Sequence, residues 1–576
     1  MSGLGPIVAL ATPCVIAVLL WTRASRELAL RCAPYAAAPA FMLAAGWLGP
    51  ARLDVPPLLL GLHLGMEDSV DRGFMLLTSG VWLASGLYAR AYMRTEPHRL
   101  RFWAFFLLTQ AANLGVVLAM DVVTFYCAYT AMTLLAFGLI VHEQTREARR
   151  AARVYVVMSL VGEMALLGAM FLIVDTRINL PLDDVPSVIA ASSARDLVIA
   201  LVLLGFGVKV GALGLHVWLP LAHPVAPTPA SAVLSGALIK AGLLGWLRFL
   251  PLGIVALPGP GLVCVVAGLA TAFYAVAIGL AQRDAKTILA YSSISQMGFV
   301  TTTMGVALAV PEAAERATAA LVFYAVHHAV VKSALFLGTG LASRVVGVWP
   351  RRLVLVGLAL VALDLAGAPL SSGALAKLSI KDVIGEGPWS GDQVSWLLSI
   401  GAVGSTVLMT HFLAITWRHT PVHAKPVTFG LWVPWIALVV VALTLIVAPP
   451  FDAVLHALTD PAKVWSALWP IVVGLALFAL LRPLRADTVG PAVPPGDLVV
   501  VYASIIQGLR RGGRPLARRI APADRMRATL AAAIPSGWIR SALGRASRLE
   551  ATLGEFGVIG GLFAALLAAG LLLAWR

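Results

Sequence analysis

The chain has 576 residues, of which 60% are hydrophobic and only 12% are charged, and its mean hydropathy is +0.89. Because soluble domains carry about 25% charged residues, this composition excludes a soluble globular protein. The formal net charge of +15 would suit a nucleic-acid partner, but the positions of the basic residues exclude that class, as shown below.

Apolar runs long enough to cross a bilayer follow one another along the chain. A transmembrane helix needs about 20 such residues, and about sixteen runs qualify. They are residues 4–22, 30–50, 73–93, 102–120, 122–141, 154–174, 196–217, 230–249, 261–281, 287–307, 318–342, 353–380, 395–417, 428–448, 464–481 and 556–575. No cleavable signal peptide is recognisable, so we expect the first run to be a retained span. The pattern predicts an all-α polytopic membrane protein with about 14–16 transmembrane helices.

The basic residues lie in every second loop. Seven loops carry 30 of the 43 Lys and Arg residues: 23–31, 88–101, 142–153, 282–286, 343–352, 418–425 and 482–550. This alternation is the positive-inside pattern. It predicts that these loops are cytoplasmic, that the N-terminus is outside and that the protein lies in the inner membrane of a prokaryote. The positive charge therefore reflects orientation, and nucleic-acid binding is excluded.

The sequence shows no site for a cofactor or a metal ion. The four cysteines, Cys14, Cys32, Cys127 and Cys264, lie in or beside apolar runs without a CxxC pair. This spacing fits no iron–sulfur or zinc site. There is also no Walker loop and no GxGxxG followed by an acidic residue. We therefore expect no cofactor and no metal.

Lysines are concentrated in the apolar runs, although arginine predominates in the loops. Five of the eight lysines lie in or at the edge of a run: Lys209, Lys240, Lys332, Lys377 and Lys381. A buried lysine can lose its proton whereas an arginine does not, and ionisable groups inside a membrane usually mark an ion pathway. The alternative is that the side chain extends to the interface, which suits Lys381 and, less well, Lys377. We therefore expect Lys209, Lys240 and Lys332 to be functional.

Acidic and histidine side chains occur in the same apolar runs. Glu163 and Asp364 lie within spans, and His327 and His328 precede Lys332. His328 and Lys332 are four residues apart and share one helix face, which predicts a proton relay because both groups exchange protons when suitably placed. The alternative is a packing role for histidine.

Two spans are interrupted by helix-breaking residues. The run 196–217 has four glycines around Lys209, and the run 353–380 contains Gly367 and Pro369 before Lys377. Irregular backbone at membrane depth lines a cavity or is buried in protein, and paired interruptions are typical of inverted-repeat transporters. Their separation by five spans predicts two inverted five-helix repeats, spans 4–8 and 9–13. Glycines that only permit close helix packing are the alternative.

Between the first broken helix and the next span, LPLAHPVAPTP packs four prolines into a short stretch around His223. Prolines interrupt helices, so we expect a tight cytoplasmic connection here, with His223 near an entrance to the membrane interior.

Four segments together resemble a known superfamily. GFGVKVGALGLHVWLPLAHPVAPTPASAVLSGALIKAGLLGWLRF resembles the core of antiporter-like proton-translocating subunits, which occur in respiratory complex I, energy-converting membrane hydrogenases and Mrp cation/proton antiporters. QRDAKTILAYSSISQMGFV, HHAVVKSALFLGTG and GAPLSSGALAK resemble further motifs of this superfamily in the same order, over roughly residues 100–420. The resemblance implies fourteen or more helices with inverted five-helix repeats, and a water-filled axis of polar residues that carries protons.

The resemblance also implies roles for individual residues. Lys209 matches the lysine of the first broken helix, and Lys240 matches the basic residue of the next helix. His328 and Lys332 match the pair on the eleventh helix. Lys377 matches the ionisable residue of the second broken helix, where protons are thought to leave. Glu163, His223 and His327 are supporting candidates on the evidence of the sequence itself and not of the resemblance.

One position departs from the family. The fifth helix of its members carries a glutamate that pairs with the broken-helix lysine, in a pattern like FWELMTL. Here the stretch is FYCAYTAMTL, and the glutamate position aligns with Thr130. We expect Glu163 on the adjacent helix to replace it as the partner of Lys209. A rewired or partly disabled pathway is the alternative.

A basic arm precedes the last apolar run. Between residues 505 and 548 the sequence has ten arginines and one acid, which is typical of a segment on anionic lipid or on a partner, with disorder as the alternative. The expected division is 1–100 N-terminal helices, 101–250 first repeat, 251–425 second repeat, 426–481 additional helices, 482–550 basic arm and 551–576 C-terminal helix.

These features predict a membrane subunit that translocates protons, or exchanges Na⁺ for protons, within a multi-subunit energy-coupling complex. The chain would have no redox centre of its own, and its complex would be similar to an NADH–quinone oxidoreductase or a hydrogenase. Its partners would be other membrane and soluble subunits and the lipid bilayer. The alternatives are an energising partner of an inorganic-carbon (bicarbonate/CO₂) uptake complex and a non-conducting scaffold.

Overall fold

A computed structural model shows a protein built almost entirely of helices. It describes residues 4–48, 52–55, 62–173, 180–418, 427–447, 460–485, 493–499, 502 and 504. Within these ranges nine helices are long and apolar enough to cross a membrane. The all-α polytopic class predicted from the sequence is therefore confirmed. The basic arm beyond residue 504 and the last predicted span lie outside the described residues.

The elements follow in chain order. The helices are α1 (Leu4–Leu19), α2 (Arg26–Cys32), α3 (Ala38–Ala44), α4 (Ser69–Tyr92), α5 (Arg99–Leu118), α6 (Val122–Ile140), α7 (Arg146–Ile173), α8 (Val185–Ala191), α9 (Arg195–Val210), α10 (Trp218–Val225), α11 (Thr228–Val233), α12 (Ile239–Phe249), α13 (Pro258–Leu280), α14 (Ala285–Ala309), α15 (Ala314–Ala342), α16 (Val348–Ala366), α17 (Ser372–Ile384), α18 (Gly391–Arg418), α19 (Phe429–Thr444) and α20 (Pro461–Arg485). Short 3₁₀ turns are Ala33–Tyr35, Leu182–Asp184, Pro311–Ala313 and Leu445–Val447. The strands are β1 (Arg52–Val55) and β2 (Leu62–Gly65), an antiparallel pair in which Arg52 faces Gly65.

One predicted span differs from the structure. The run 30–50 is not a single helix but is divided among α2, a 3₁₀ turn and α3. Pro34 and Pro39 cause the division, because a proline inside a helix removes a hydrogen bond and clashes with the preceding turn. Both prolines lie instead in the first turn of the element that follows, where proline is tolerated. The hairpin after α3 was not predicted.

Polar residues at helix starts set several boundaries. The carboxylates of Asp68, Asp121 and Asp284 accept the backbone N–H three residues later, at the starts of α4, α6 and α14, each at 2.8 Å. These are N-caps, which satisfy donors that a helix leaves unpaired. Each cap lies at the border between a loop and an apolar run, so these helices begin near the predicted starts of the spans.

The interior of the bundle is formed around α14 and α15. Every residue of α14 from Thr287 to Ala309 is buried. Glycines allow α13 to approach α14 closely: a Cβ added to Gly268 would lie 2.6 Å from the carbonyl oxygen of Gly298. Such small residues permit tight helix packing in membranes. Large apolar side chains on α7, α13, α16 and α19 are exposed and face outward.

Two helices are broken as predicted, and both breaks have the same local structure. α9 ends at Gly211 (φ 84°) and α16 ends at Gly367 (φ 92°), both in the left-handed region that favours glycine. The N–H of Ala212 donates to the carbonyl of Gly207 at 3.1 Å, and the N–H of Ala368 donates to the carbonyl of Leu363 at 3.0 Å. These are Schellman ends. The two inverted repeats stay a prediction.

The proline-rich stretch is more helical than its composition predicts. Pro224 lies inside α10, and Pro229 lies in the first turn of α11. Only residues 226–227 separate the two helices. The expected loop is thus a two-residue connection, and its histidine belongs to a helix. α11 then continues into α12 through a π turn, Leu234–Leu238.

Candidate functional site

Lys209 lies beside the first break, two residues before Gly211, and its side chain is buried. Its Nζ donates to the hydroxyl of Tyr155 at 3.1 Å. It also lies 5.0–5.8 Å from the ring centroids of Tyr155, Trp218 and Tyr129. An ammonium over aromatic faces is stabilised by cation–π attraction. Lys209 is therefore held by neutral groups from α6, α7 and α10.

Glu163 of α7 contacts the position where the family has its glutamate. The hydroxyl of Thr130 donates to Glu163 Oε2 at 2.6 Å. Glu163 and Lys209 line one small cavity of about 10 Å³, roughly the room that one water molecule needs. The structure, which describes both side chains, shows no direct ion pair between them. That Glu163 replaces the family glutamate as the partner of Lys209 stays a prediction, and its position agrees with it.

Close approach of α7 to α9 positions this pair. A Cβ on Gly162 would lie 2.9 Å from the carbonyl oxygen of Gly205, and a Cβ on Gly205 would lie equally close to the carbonyl oxygen of Gly162. The glycines that precede Glu163 and Lys209 along their helices therefore let the two backbones nearly touch. The alternative interpretation, that glycines near Lys209 permit packing, holds for Gly205, while Gly211 is required for the break.

Lys240 and His328 form a direct contact in the interior. Lys240 Nζ lies 2.7 Å from His328 Nδ1 and donates to the carbonyl of Ser235 at 2.6 Å. Both side chains are at most 1% exposed. Ser235 lies in the π turn, a distortion that is frequent at functional sites. His328 does share a helix face with Lys332, but its hydrogen-bond partner is Lys240, from a helix 88 positions away in sequence.

Lys332 is bound to α14. Its Nζ donates to the carbonyl of Leu289 at 2.9 Å and to the hydroxyl of Ser292. The hydroxyl of Ser293 donates to the same Leu289 carbonyl at 3.1 Å and lies 2.9 Å from the hydroxyl of Ser235. Two serines thus connect the surroundings of Lys240 with those of Lys332.

The second break holds a buried carboxylate, Asp364, which is connected to His327 through Ser372. The carboxylate of Asp364 accepts the N–H of Gly373 at 2.8 Å and the hydroxyl of Ser372 at 3.0 Å. The Ser372 hydroxyl oxygen also lies 2.8 Å from His327 Nδ1. The carboxylate of Asp364, which belongs to α16, lies at the N-terminus of α17, where backbone N–H groups favour an anion. Asp364 was recognisable in the sequence as an acid within an apolar run, but no role was predicted for it.

Lys377 faces the same break. Its Nζ donates to the carbonyl of Ala366 at 2.5 Å, and its side chain is 6% exposed. That carbonyl is one of those left without an intrahelical partner where α16 ends, and a cation there is favoured by the helix dipole. Lys377 is thus directed toward the break rather than the interface. Lys381, which is partly buried, lines a small cavity with it.

His223 lies in a helix rather than in the expected loop. It lies inside α10 with no exposed surface, and its ring stacks on Phe336 at 4.6 Å. Neither ring nitrogen has a hydrogen-bond partner among the described residues. The expectation that His223 lies in the loop is therefore wrong, because Pro224 lies inside the helix that contains it. Its role as a supporting candidate near an entrance stays a prediction.

Sequence reasoning missed a contact that covers the first break. The segment 493–499, which follows α20, lies against α13 and α14. Asp497 accepts the hydroxyls of Tyr291 at 3.0 Å and of Tyr274, and Tyr502 donates to the carbonyl of Gly214 inside the break. No local pattern indicates these contacts, because they join residues more than 200 positions apart.

The region that contains both breaks matches a family of known proteins. The model described as "NADH:quinone oxidoreductase/Mrp antiporter, TM" matches residues 119–408, which is half of the chain. The chain belongs to this family. The resemblance found in the sequence motifs is thereby confirmed, and all five of the principal candidates, Lys209, Lys240, His328, Lys332 and Lys377, fall within the matched region.

Individual relatives agree with this assignment. An uncharacterised protein of Mycobacterium tuberculosis is 31% identical over 374 residues, covering 60% of this chain and 56% of the relative. A Rhizobium meliloti protein named as part of a probable K⁺/H⁺ antiporter is 32% identical over 353 residues, covering 58% of this chain and 34% of the relative. The chain thus matches about half, or less, of the length of these relatives.

A solved structure shares the fold. The Mrp complex from Dietzia sp. DQ12-45-1b superposes with a TM-score of 0.73 at 23% identity, over 92% of this chain and 63% of that chain. At this identity the likeness concerns the fold alone. The protein is therefore a multi-pass membrane protein of the antiporter-type family with an Mrp-like helical fold.

Proposed function

We propose that the protein translocates protons, or exchanges Na⁺ for protons, as a membrane subunit of a hetero-oligomeric complex. The observation that carries this proposal is the 2.7 Å contact between Lys240 and His328 in the interior of the bundle. Two groups that can both bind a proton are in hydrogen-bond distance on separate helices, where an ionisable residue is costly. Such a pair is expected where protons move and is unexpected in a scaffold.

The partners of the buried lysines support transfer. Lys240, Lys332 and Lys377 donate to backbone carbonyls, a hydroxyl or an imidazole. A lysine held by neutral acceptors can release its proton without leaving a buried carboxylate unpaired, which would be expensive. Protons can move along such groups in either direction, so a source of energy on another subunit would set the direction of transport.

The proposed path begins at Lys209 beside the first break. From there a proton passes to Lys240 and across the 2.7 Å contact to His328. The path then passes the two bridging serines to Lys332 and ends at Lys377 beside the second break. No direct hydrogen bond among the described residues joins Lys209 to Lys240, His328 to Lys332 or Lys332 to Lys377, so these three steps require water.

The side groups have distinct proposed roles. Glu163 would act as the counter-charge of Lys209. His327 and Asp364 would receive a proton near the second break, since the imidazole is linked to the carboxylate through one hydroxyl. The predicted orientation places the basic loops in the cytoplasm.

The test is proton flux in vesicles that contain the complete complex. Replacing Lys240 with Met removes the proton-binding group but keeps an unbranched side chain of similar length. We expect Lys240→Met to reduce flux, reported by a pH-sensitive dye, to the level of empty vesicles. Lys463→Met, at the start of α20, is the matched control and should leave flux unchanged.

The opposite result would be informative. If Lys240→Met conducts protons like the wild type while the complex stays intact, the proposed path is wrong. Identification of the subunits that purify with the chain would then distinguish an inorganic-carbon uptake complex from a scaffold for soluble subunits.

A further inference from the structure

A positively charged pocket opens at one end of the bundle, away from the proposed path. Its volume is about 450 Å³, and it lies between the end of α4 and the start of α19, beside the end of α15. This volume is within the range of ligand-binding cavities. Three arginines, Arg90, Arg94 and Arg344, line it, together with one carboxylate, Glu96. The wall therefore carries an excess of positive charge.

Arg344 is the central group of this pocket. It is only 7% exposed, and its guanidinium lies 3.7 Å from the ring centroid of Tyr92. Among the residues that the structure describes, no carboxylate pairs with it, and Glu96 forms no ion pair either. Its described partner is the Tyr92 side chain, so the guanidinium has no counter-ion there, and burying a charge in this way is costly. An arginine in this state is expected to bind an anion that the described part of the chain does not supply.

The other arginines of the pocket also lack a counter-ion among the described residues. Arg90 donates to the hydroxyl of Tyr35 at 3.2 Å, so its partner is neutral. Arg94 is exposed at the rim.

We propose that this pocket binds a phosphate-bearing anion, the class that includes phospholipid headgroups and soluble phosphate esters. The planar guanidinium group of arginine can donate two parallel hydrogen bonds to phosphate oxygens, so arginine is the preferred residue for such sites. Phe429 lies between the lining residues Thr428 and Gly430 and is 85% exposed. An apolar side chain at the rim favours a lipid, whose acyl chain would lie against it. The site does not depend on the translocation path.

The test uses the full-length chain, purified with its partner subunits in detergent and freed of lipid. Binding of phosphatidylglycerol is titrated by native mass spectrometry, with the zwitterionic phosphatidylcholine as the reference lipid. We expect Arg344→Gln to weaken phosphatidylglycerol binding at least about tenfold, equivalent to about 1.4 kcal/mol. Arg352→Gln, an exposed arginine of α16 at the same end of the bundle, should bind like the wild type.

A second variant covers the case in which Arg344→Gln does not assemble. Arg94 is exposed, so its replacement does not disturb the interior, and Arg94→Gln should also weaken phosphatidylglycerol binding. Competition with inorganic phosphate distinguishes the two sources: displacement at millimolar concentration indicates a soluble phosphate site, and no displacement indicates a lipid site. Equal binding of both lipids without an effect of phosphate, or unchanged binding by both variants, would overturn the proposal.

Discussion

Replacing Glu163 with Gln tests whether this carboxylate has taken over the role of the missing family glutamate. The substitution keeps the shape of the side chain and leaves an oxygen that can accept from the Thr130 hydroxyl, now 2.6 Å from Glu163 Oε2. Only the negative charge opposite Lys209 is lost. The prediction therefore separates charge from packing.

The expected size of the effect follows from Coulomb's law. Glu163 and Lys209 line the same cavity of about 10 Å³ without direct contact. Two unit charges separated by roughly 5 Å at an effective dielectric constant of about 20 interact with about 3 kcal/mol. Such a loss corresponds to about a hundredfold change in a rate or an equilibrium. We therefore expect Glu163→Gln to reduce proton flux at least about a hundredfold, to the background of the vesicles.

Moving the charge back to the family position is the complementary experiment. Because Thr130 contacts Glu163, a glutamate at position 130 would place a carboxylate near the same point. The double variant Thr130→Glu/Glu163→Gln should recover much of the flux. Glu147→Gln, at the exposed start of the same helix, should have no effect. Wild-type flux in Glu163→Gln would refute the replacement hypothesis, and failure of the double variant would show that the position of the carboxylate matters as well as its charge.

Two further predictions concern the structure around the breaks. A methyl group on Gly373 would lie 1.8 Å from the carbonyl oxygen of Asp364, so Gly373→Ala should destabilise the protein by about 1–3 kcal/mol and lower its melting temperature. Gly259→Ala should leave the melting temperature unchanged, because a Cβ added there meets nothing within 4 Å. A melting temperature of Gly373→Ala equal to that of the wild type would refute the close contact. Asp497→Ala removes the acceptor of the Tyr291 and Tyr274 hydroxyls. Hydrogen exchange in 493–499 should become at least about tenfold faster, since a hydrogen bond to a charged group is worth about 1.5–3 kcal/mol. Unchanged exchange would mean that these bonds do not hold the segment.

The broken helices show how far local sequence patterns reach. Gly211 and Gly367 could be recognised because glycine is the residue that tolerates a left-handed end, and the structure has both in that conformation. The membrane class followed from hydropathy alone, which is a local property. The run 30–50 was misjudged because hydropathy ignores Pro34 and Pro39, which divide it.

The candidate site was predicted as a set of residues but not as an arrangement. Lys240 and Lys332 were recognisable because a charge in an apolar run is costly and thus informative. His223 was misplaced because prolines were interpreted as a loop, whereas Pro224 lies inside a helix. Asp364 had the same signal as the lysines, but its link to His327 through a serine is invisible along the chain.

By itself the sequence determined the properties that depend on neighbouring residues: the apolar spans, the two breaks and the presence of buried ionisable groups. Only the tertiary structure decided which groups meet. Lys240 contacts His328, Asp497 contacts Tyr291, and Arg344 lies over Tyr92. The reason is physical. Hydropathy and helix-breaking are properties of a short segment, whereas a hydrogen bond between helices depends on their crossing and rotation, which the packing of the whole bundle sets.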